Sequence, residues 1–181
     1  MIEVIERLVT EFEDIQLYIA GDGELKKIKD IIKEKRLEKN INCVGWVSGS
    51  EKERLLKECS VFVLPSYNEG MPMSILEAMA YKNSVISTEV GGIPQIITNN
   101  ENGIIIKPGD KDELYNALKG LISNTEKRRI ISENARKTVE EKFDIINNIE
   151  KLFLLYKWGK IIYGKKKNYA KITLVNHYWW K

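Results

Sequence analysis

The stretch Ser60-Val61-Phe62-Val63-Leu64-Pro65 limits the possible folds more than any other part of this chain. Its four consecutive apolar residues read as a strand with no polar face. A strand apolar on both sides belongs inside a parallel sheet covered by helices on both faces. The surrounding sequence alternates accordingly. Ile2, Ile5, Leu8, Val9 and Phe12 share one face of a helix expected over 2–13, and a strand over 16–20 stops at Gly21-Asp22-Gly23. Leu25, Ile28, Ile31 and Ile32 fall at helical spacing, followed by a strand over 42–45 and a short helix over 52–59. Beyond the central run come a helix over 72–81, a strand over 84–88, a short helix from Pro94 and a strand over 103–106.

Three helices close the series. Asp110 and Glu113 form a capping box for helix 111–123. Helix 126–142 is expected to bury Ile131, Ala135 and Val139, and helix 145–156 to bury Ile145, Ile149, Leu152, Phe153 and Tyr156. The fold class is therefore α/β, a doubly wound, Rossmann-like parallel sheet. Such a unit normally opens with the strand at the centre of its sheet. This chain opens with a helix, so that first central strand is expected to be lacking and the reading frame to start late.

The charge divides unevenly. The net +3 includes seven lysines and no acid in 157–181, which leaves 22 basic against 26 acidic residues in 1–156. We expect a domain over 1–156 and a separate basic, aromatic tail over 157–181. A mildly acidic body argues against nucleic acid as a partner. No apolar run reaches the roughly 18 residues of a membrane span, and the start alternates charged with apolar residues, unlike a signal peptide. A cytoplasmic protein is expected. Cys43, Cys59 and the single His177 are too scattered for a metal site, and both cysteines are expected in the core.

The chemistry lies in Leu64-Pro65-Ser66-Tyr67-Asn68-Glu69-Gly70-Met71-Pro72-Met73-Ser74-Ile75-Leu76-Glu77-Ala78-Met79-Ala80. It follows the carboxyl end of a buried strand, where open α/β sheets bind ligands. Gly70 permits close backbone approach, and Pro72 suits the first helical position. The N–H groups of Gly70, Met71, Met73 and Ser74 then face out of a helix start carrying about half a positive charge, a site for a diphosphate. Glu69 precedes the helix, and Glu77 lies roughly 8 Å along its axis from the start. One carboxylate on each side of a phosphate could grip the hydroxyls of a sugar and of a ribose. A glutamate within a helix is usually solvated. Here Ile75, Leu76, Ala78, Met79 and Ala80 surround Glu77, so a nearly all-buried helix and a functional carboxylate are expected. A glycosidase-like acid pair would not account for the phosphate cradle.

The motifs Pro65-Ser66, Glu69-Gly70-x-Pro72 and Glu77-Ala78-Met79-Ala80, with two glutamates eight apart, resemble the signature of family 4 retaining glycosyltransferases of the GT-B fold. Ala20-Gly21-Asp22-Gly23-Glu24, Val44-Gly45-Trp46-Val47, Val90-Gly91-Gly92-Ile93-Pro94 and Lys107-Pro108-Gly109-Asp110 extend the resemblance over 1–156. It implies the C-terminal, donor-binding half of that fold, with Glu69 on the donor sugar's hydroxyls as catalytic residue and Glu77 on the ribose. Gly70, Met71, Pro72 and Met73 would cradle sugar and diphosphate, Trp46 and Val47 border the base, and Gly21 allow close approach. It also implies a nucleotide-diphosphate sugar donor, no metal or cofactor, and a missing N-terminal acceptor-binding domain as partner.

Some features depart from the family. The opening strand, its Gly-Arg-Leu segment and the following lysine are missing, so the chain alone is expected to bind donor weakly and not to transfer. Lys82-Asn83-Ser84 replaces a glycine–proline turn, expected at the surface, and Gln95 replaces a glutamate. The tail, with Lys160, Lys165, Lys166, Lys167 and Lys171 among Trp158, Tyr163, Tyr169, Tyr178, Trp179 and Trp180, either contacts an anionic membrane face peripherally or is a poorly packed extension. Two functions remain open: the donor half of a hexosyltransferase making polysaccharide or glycolipid, and a non-catalytic nucleotide-sugar-binding or interaction module that pairs with a separate acceptor-domain chain. A sugar-nucleotide epimerase of the same fold is a third.

Overall fold

In the computed structural model, which describes the backbone of residues 1–162 and the side chains of 1–157, strands and helices alternate in the expected order. The elements are α1 (Ile2–Val9), β1 (Leu17–Ala20), α2 (Leu25–Glu34), β2 (Ile41–Gly45), α3 (Gly49–Glu58), β3 (Val61–Leu64) and α4 (Met73–Ala80). Then follow β4 (Ser84–Thr88), α5 (Ile93–Ile96), β5 (Ile104–Ile106), α6 (Lys111–Ser123), α7 (Thr125–Thr138), a π-helical turn (Val139–Phe143) and α8 (Ile145–Ile162). The chain divides into two units, Met1–Phe143 and Asp144 onward.

In the first unit all paired strands are parallel, and they form two sheets. One has the order β2-β1, the other β3-β4-β5. A doubly wound sheet has the order 3-2-1-4-5-6. The observed strands fit that order, with the position between β1 and β3 unfilled among the described residues. Helices cover both faces. Val4, Ile5 and Leu8 of α1, Ile32 of α2 and Leu114, Leu118 and Leu121 of α6 form one core with Ile86 and Ile106. Ile75, Leu76, Ala78 and Met79 of α4, Ile93 and Ile96 of α5 and Leu56 of α3 form the other with Val85. Coverage changes face between α2 and α3, which puts the topological switch beside the unfilled position.

β4, paired on both edges, is buried at all five residues. β3 is wholly apolar but paired on one edge, and all four of its residues are half-buried. The buried hydroxyls of β4 are satisfied: Ser84 donates to the Arg128 carbonyl at 2.8 Å, Ser87 to Leu64 at 2.7 Å and Thr88 to Ser66 at 2.6 Å. Asn83, expected in a surface turn, is instead fully buried, and its amide donates to the carbonyls of Leu56 (2.8 Å) and Ala78 (3.2 Å). Burial is possible because a side-chain amide can close the end of α4 where a shorter residue would leave carbonyls unpaired. Lys82 takes the left-handed conformation, φ 60°, that a turn glycine would hold more easily.

Asp110 caps α6, accepting from the N–H of Asp112 (3.0 Å) and Glu113 (2.8 Å). The reciprocal half of the box differs from expectation: the Glu113 carboxylate accepts from the Lys107 N–H at 2.7 Å. Ile131 and Ala135 of α7 are buried as expected, while Val139 falls in the π-helical turn and is half-buried. Cys43 is half-buried and packs against the first core, whereas Cys59 is half-buried outside both cores.

The second unit is described here only through α8. Ile145, Ile149, Leu152, Phe153 and Tyr156, expected to be buried, are all more than half exposed. Apolar residues occur around most of this helix, so it has no polar face to set toward solvent. Apart from Lys157 and the backbone end of α8, the expected basic tail lies outside the described residues.

Candidate functional site

Because every paired strand runs parallel, the loops that follow the strands gather at one end of the sheet. The β3 loop is fastened there from β4, by the Ser87 and Thr88 hydroxyls that hold the carbonyls of Leu64 and Ser66. Ser66 continues the chain of contacts. Its hydroxyl donates to Glu69 Oε1 at 2.6 Å, which sets the direction of that carboxylate.

The loop after β4 closes against the same segment. The Gly92 N–H donates to the Gly70 carbonyl at 2.7 Å. A Cβ on Gly92 would lie 2.8 Å from that oxygen, and one on Gly91 would lie 1.8 Å from the Glu69 carbonyl. Gly91 also has φ 55°. Both glycines are therefore required by backbone contact, and Gly91 also by its conformation. With the Gly70 carbonyl turned toward Gly92, the N–H groups of Gly70, Met71, Met73 and Ser74 donate to no group among the described residues. Gly70, Met71 and Met73 are exposed.

Pro72 caps α4 with φ −73° and ψ 110°, and the helix starts at Met73, so the proline stands one residue before the expected first helical position. α4 buries Ile75, Leu76, Ala78 and Met79, but not its whole circumference. Glu77 occupies the remaining side, its side chain 38% exposed, and accepts a hydrogen bond from Lys52 Nζ at 2.7 Å. The expectation of a glutamate enclosed without a partner is thus corrected: a cation from α3 meets it at the surface.

Lys52 lies in the first turn of α3, just past the loop carrying Trp46 and Val47. Trp46 is 72% exposed and Val47 half-buried. Gly21, at the end of β1, has φ 145°, and its N–H donates to the Gly45 carbonyl at 2.8 Å, which joins the loops after β1 and β2. No atom lies within 4 Å of where a Gly21 Cβ would be, so the space above it is open.

The structure thus unites Glu69, Gly70, Met71, Pro72 and Met73 as one continuous lip, and sets Glu77 on α4 behind it with Lys52. Gly21, Trp46 and Val47 stand at the same end of the parallel strands, on the β1–β2 side. A hollow of about 670 Å³ runs along α2, over Gly23, Leu25, Lys27 and Ile31, and one of about 300 Å³ over Ile32, Ile41 and Cys43; neither is lined by the candidate residues. Sequence reasoning assigned no role to Lys52, Ser66, Gly91 or Gly92. The glycine pair was visible as a motif, but its partner loop was not.

The family model of glycosyl transferases group 1 matches residues 1–138. An uncharacterized glycosyltransferase of Methanocaldococcus jannaschii is 30% identical over 161 residues, 88% of this chain and 42% of its own length. The UDP-Gal:alpha-D-GlcNAc-diphosphoundecaprenol alpha-1,3-galactosyltransferase of Escherichia coli is 32% identical over 145 residues, 79% of this chain and 37% of its own length. The crystal structure of the C-terminal domain of a glycosyl transferase group 1 family protein from Francisella tularensis superimposes with a TM-score of 0.72 at 29% identity, covering 80% of this chain and 77% of that one. The chain therefore spans about two-fifths of these curated relatives and most of an isolated C-terminal domain.

Proposed function

This chain belongs to the glycosyl transferases group 1, and from that premise we propose that it is the donor-binding domain of a retaining, family 4 hexosyltransferase. Its substrate is a nucleotide-diphosphate sugar, and the acceptor is a polysaccharide or a lipid-linked saccharide. The Escherichia coli relative, named for UDP-Gal and a diphosphoundecaprenol acceptor, supports both classes. A separate acceptor-binding domain completes the catalyst, and the chain alone does not transfer. We place the reaction in the cytoplasm, at the inner membrane face, where a lipid-linked acceptor would be presented. No helix among the described residues is long and apolar enough to cross a membrane.

One observation carries the reading: four N–H groups at the start of α4 that have no partner among the described residues, with an oriented carboxylate before them and a second one behind. The diphosphate accepts from the amides of Gly70, Met71, Met73 and Ser74. When the anomeric bond breaks, negative charge grows on the leaving phosphate oxygen, and fixed amides at a helix start receive it without reorganising. Glu69, held by Ser66, accepts hydrogen bonds from the donor sugar's hydroxyls and fixes its anomeric carbon above the diphosphate. Glu77 accepts from the ribose hydroxyls, while Lys52 keeps the carboxylate oriented and balances its charge before the nucleotide arrives. Trp46 and Val47 border the base, and the open space at Gly21 admits the diphosphate.

Calorimetric titration with UDP, GDP and ADP tests this assignment. One nucleotide is expected to bind the intact chain with Kd of about 1 mM, roughly −4 kcal/mol, and Glu77→Ala is expected to abolish the heat. Equal binding by both proteins removes the ribose role from Glu77.

A further inference from the structure

Positive charge in the first unit gathers on one helix. Positions 25–39 hold seven basic residues against three acidic ones, while the rest of 1–156 holds 15 against 23. The pairing of these charges differs too. In α3, Arg54 meets Glu51 and Glu58, and Lys57 meets Glu53; in α7, Arg129 meets Glu126 and Glu133. Each of those pairs spans one helical turn. Around α2 only Lys27 and Lys35 find carboxylates, Glu24 and Glu6. Lys26, Lys29, Lys33, Arg36 and Lys39 are exposed, and their side chains form neither an ion pair nor a hydrogen bond among the described residues. Elsewhere in Met1–Phe143 that holds for Lys82 and Lys127, which lie apart from each other.

Lys26, Lys29 and Lys33 follow one another at three and four residues on one side of α2, while Ile28 and Ile32 join the core from the other. Like charges at that spacing repel. Asp30, Glu34 and Glu38 are near in sequence, yet none of them enters an ion pair with these lysines. Lys29 and Lys33 also line the hollow of about 300 Å³ beside Ile41 and Cys43, next to the outer edge of β2.

We propose that this lysine face of α2 docks the domain on an anionic lipid surface. A basic helix whose apolar side is already buried meets such a surface through charge and not by insertion. The face is a single convex helix side, which a plane can meet along its whole length. Positions 24–40 contain no aromatic residue on which the bases of a single-stranded nucleic acid could stack. The use of this contact rests on the lipid-linked acceptor proposed above. α2 begins beside Gly23, at the carboxyl end of β1, so docking along α2 holds that end of the sheet at the headgroups.

The test uses the full chain and sedimentation with vesicles of phosphatidylcholine, with and without phosphatidylglycerol, in about 0.1 M salt. Three proteins are compared with the unaltered one. The first carries Lys26→Gln, Lys29→Gln and Lys33→Gln, and the second carries Lys57→Gln, Lys127→Gln and Lys137→Gln, an equal loss of charge elsewhere. The third has Lys160, Lys165, Lys166, Lys167 and Lys171 changed to glutamine. The unaltered chain is expected to bind only the vesicles with phosphatidylglycerol. The α2 variant should lose about fivefold in partitioning per lysine, about a hundredfold in all, and the second variant less than about threefold, its charges being screened from the surface. Thermal melting checks that each variant folds. Absence of binding by the unaltered chain, equal losses in the first two variants, or a loss confined to the third overturns the proposal. A uridine RNA oligomer whose binding falls in the α2 variant, with vesicle binding unchanged, assigns the face to nucleic acid and overturns it as well. UDP, GDP and ADP titrations of the same proteins keep the two readings apart. Lost vesicle binding with unchanged nucleotide heat supports docking by α2, whereas absent nucleotide heat with α2-dependent vesicle binding removes the donor assignment and leaves the docking face.

Discussion

Around β3 and β4 the backbone is packed so closely that glycine is required: a methyl group at Gly91 would overlap the Glu69 carbonyl. Around β1 and β2 the glycines of the loop meet nothing, since Gly21 and Gly23 have no atom within 4 Å of a built Cβ. The strands differ in the same way. β4 is buried throughout, whereas β1 alternates half-buried and exposed and its register slips between Ile19 and Ala20. The contrast separates two tasks. The β3–β4 side holds carboxylates and amides in fixed positions, which needs support from behind, while the β1–β2 side borders open space.

Substitutions that probe the two sides should differ in size. Ile86→Ala, at a fully buried position of β4, is expected to lower unfolding free energy by about 4 kcal/mol. Ile19→Ala, half-buried on β1, should lower it by about 1 kcal/mol. Urea titration measures both, and equal losses would erase the contrast. Next, Gly91→Ala should destabilise by about 3 kcal/mol, the upper range for backbone forced from its well, whereas Gly23→Ala should stay within about 0.5 kcal/mol. Lys82→Gly, which removes a left-handed lysine behind α4, should stabilise the chain by about 1 kcal/mol.

The smallest effect concerns acid. Lys111 holds the Glu3 carboxyl below its ordinary range, and Lys119 with Tyr115 does the same for Glu11. Both contacts tie the N-terminal helical segment to α6. A carboxyl with a depressed folded pKa contributes stability above its unfolded value and loses it as pH falls through the folded one. Protection of the α1 amides, relative to the intrinsic exchange rate at each pH, should therefore fall below about pH 4, before protection of β4 changes. Simultaneous change would show that these surface pairs do not hold α1.

The strand–helix order was readable because apolar periodicity and glycine turns are local. The lip from Glu69 to Met73 was readable for the same reason, as consecutive residues at a strand end. The Lys52 partner of Glu77 was not: it comes 25 positions earlier from another helix, in a segment with several other lysines and glutamates. Asn83 reads as a turn residue because local sequence does not show that the end of α4 and Leu56 close over it. α8 shows the opposite limit. Its apolar residues predict burial, yet periodicity says only that surface should be covered and not by what.

The central claim is that the amides at the start of α4, which have no partner among the described residues, grip the diphosphate. Nitrogen–proton correlation NMR during titration with UDP, GDP or ADP, beside the matching nucleoside, tests it most directly. The account predicts that the Gly70, Met71, Met73 and Ser74 amides move together along one saturation curve with the diphosphate and stay still with the nucleoside. Shifts confined to the α2 hollow, over Gly23, Leu25 and Ile31, with those four amides unmoved, would contradict it.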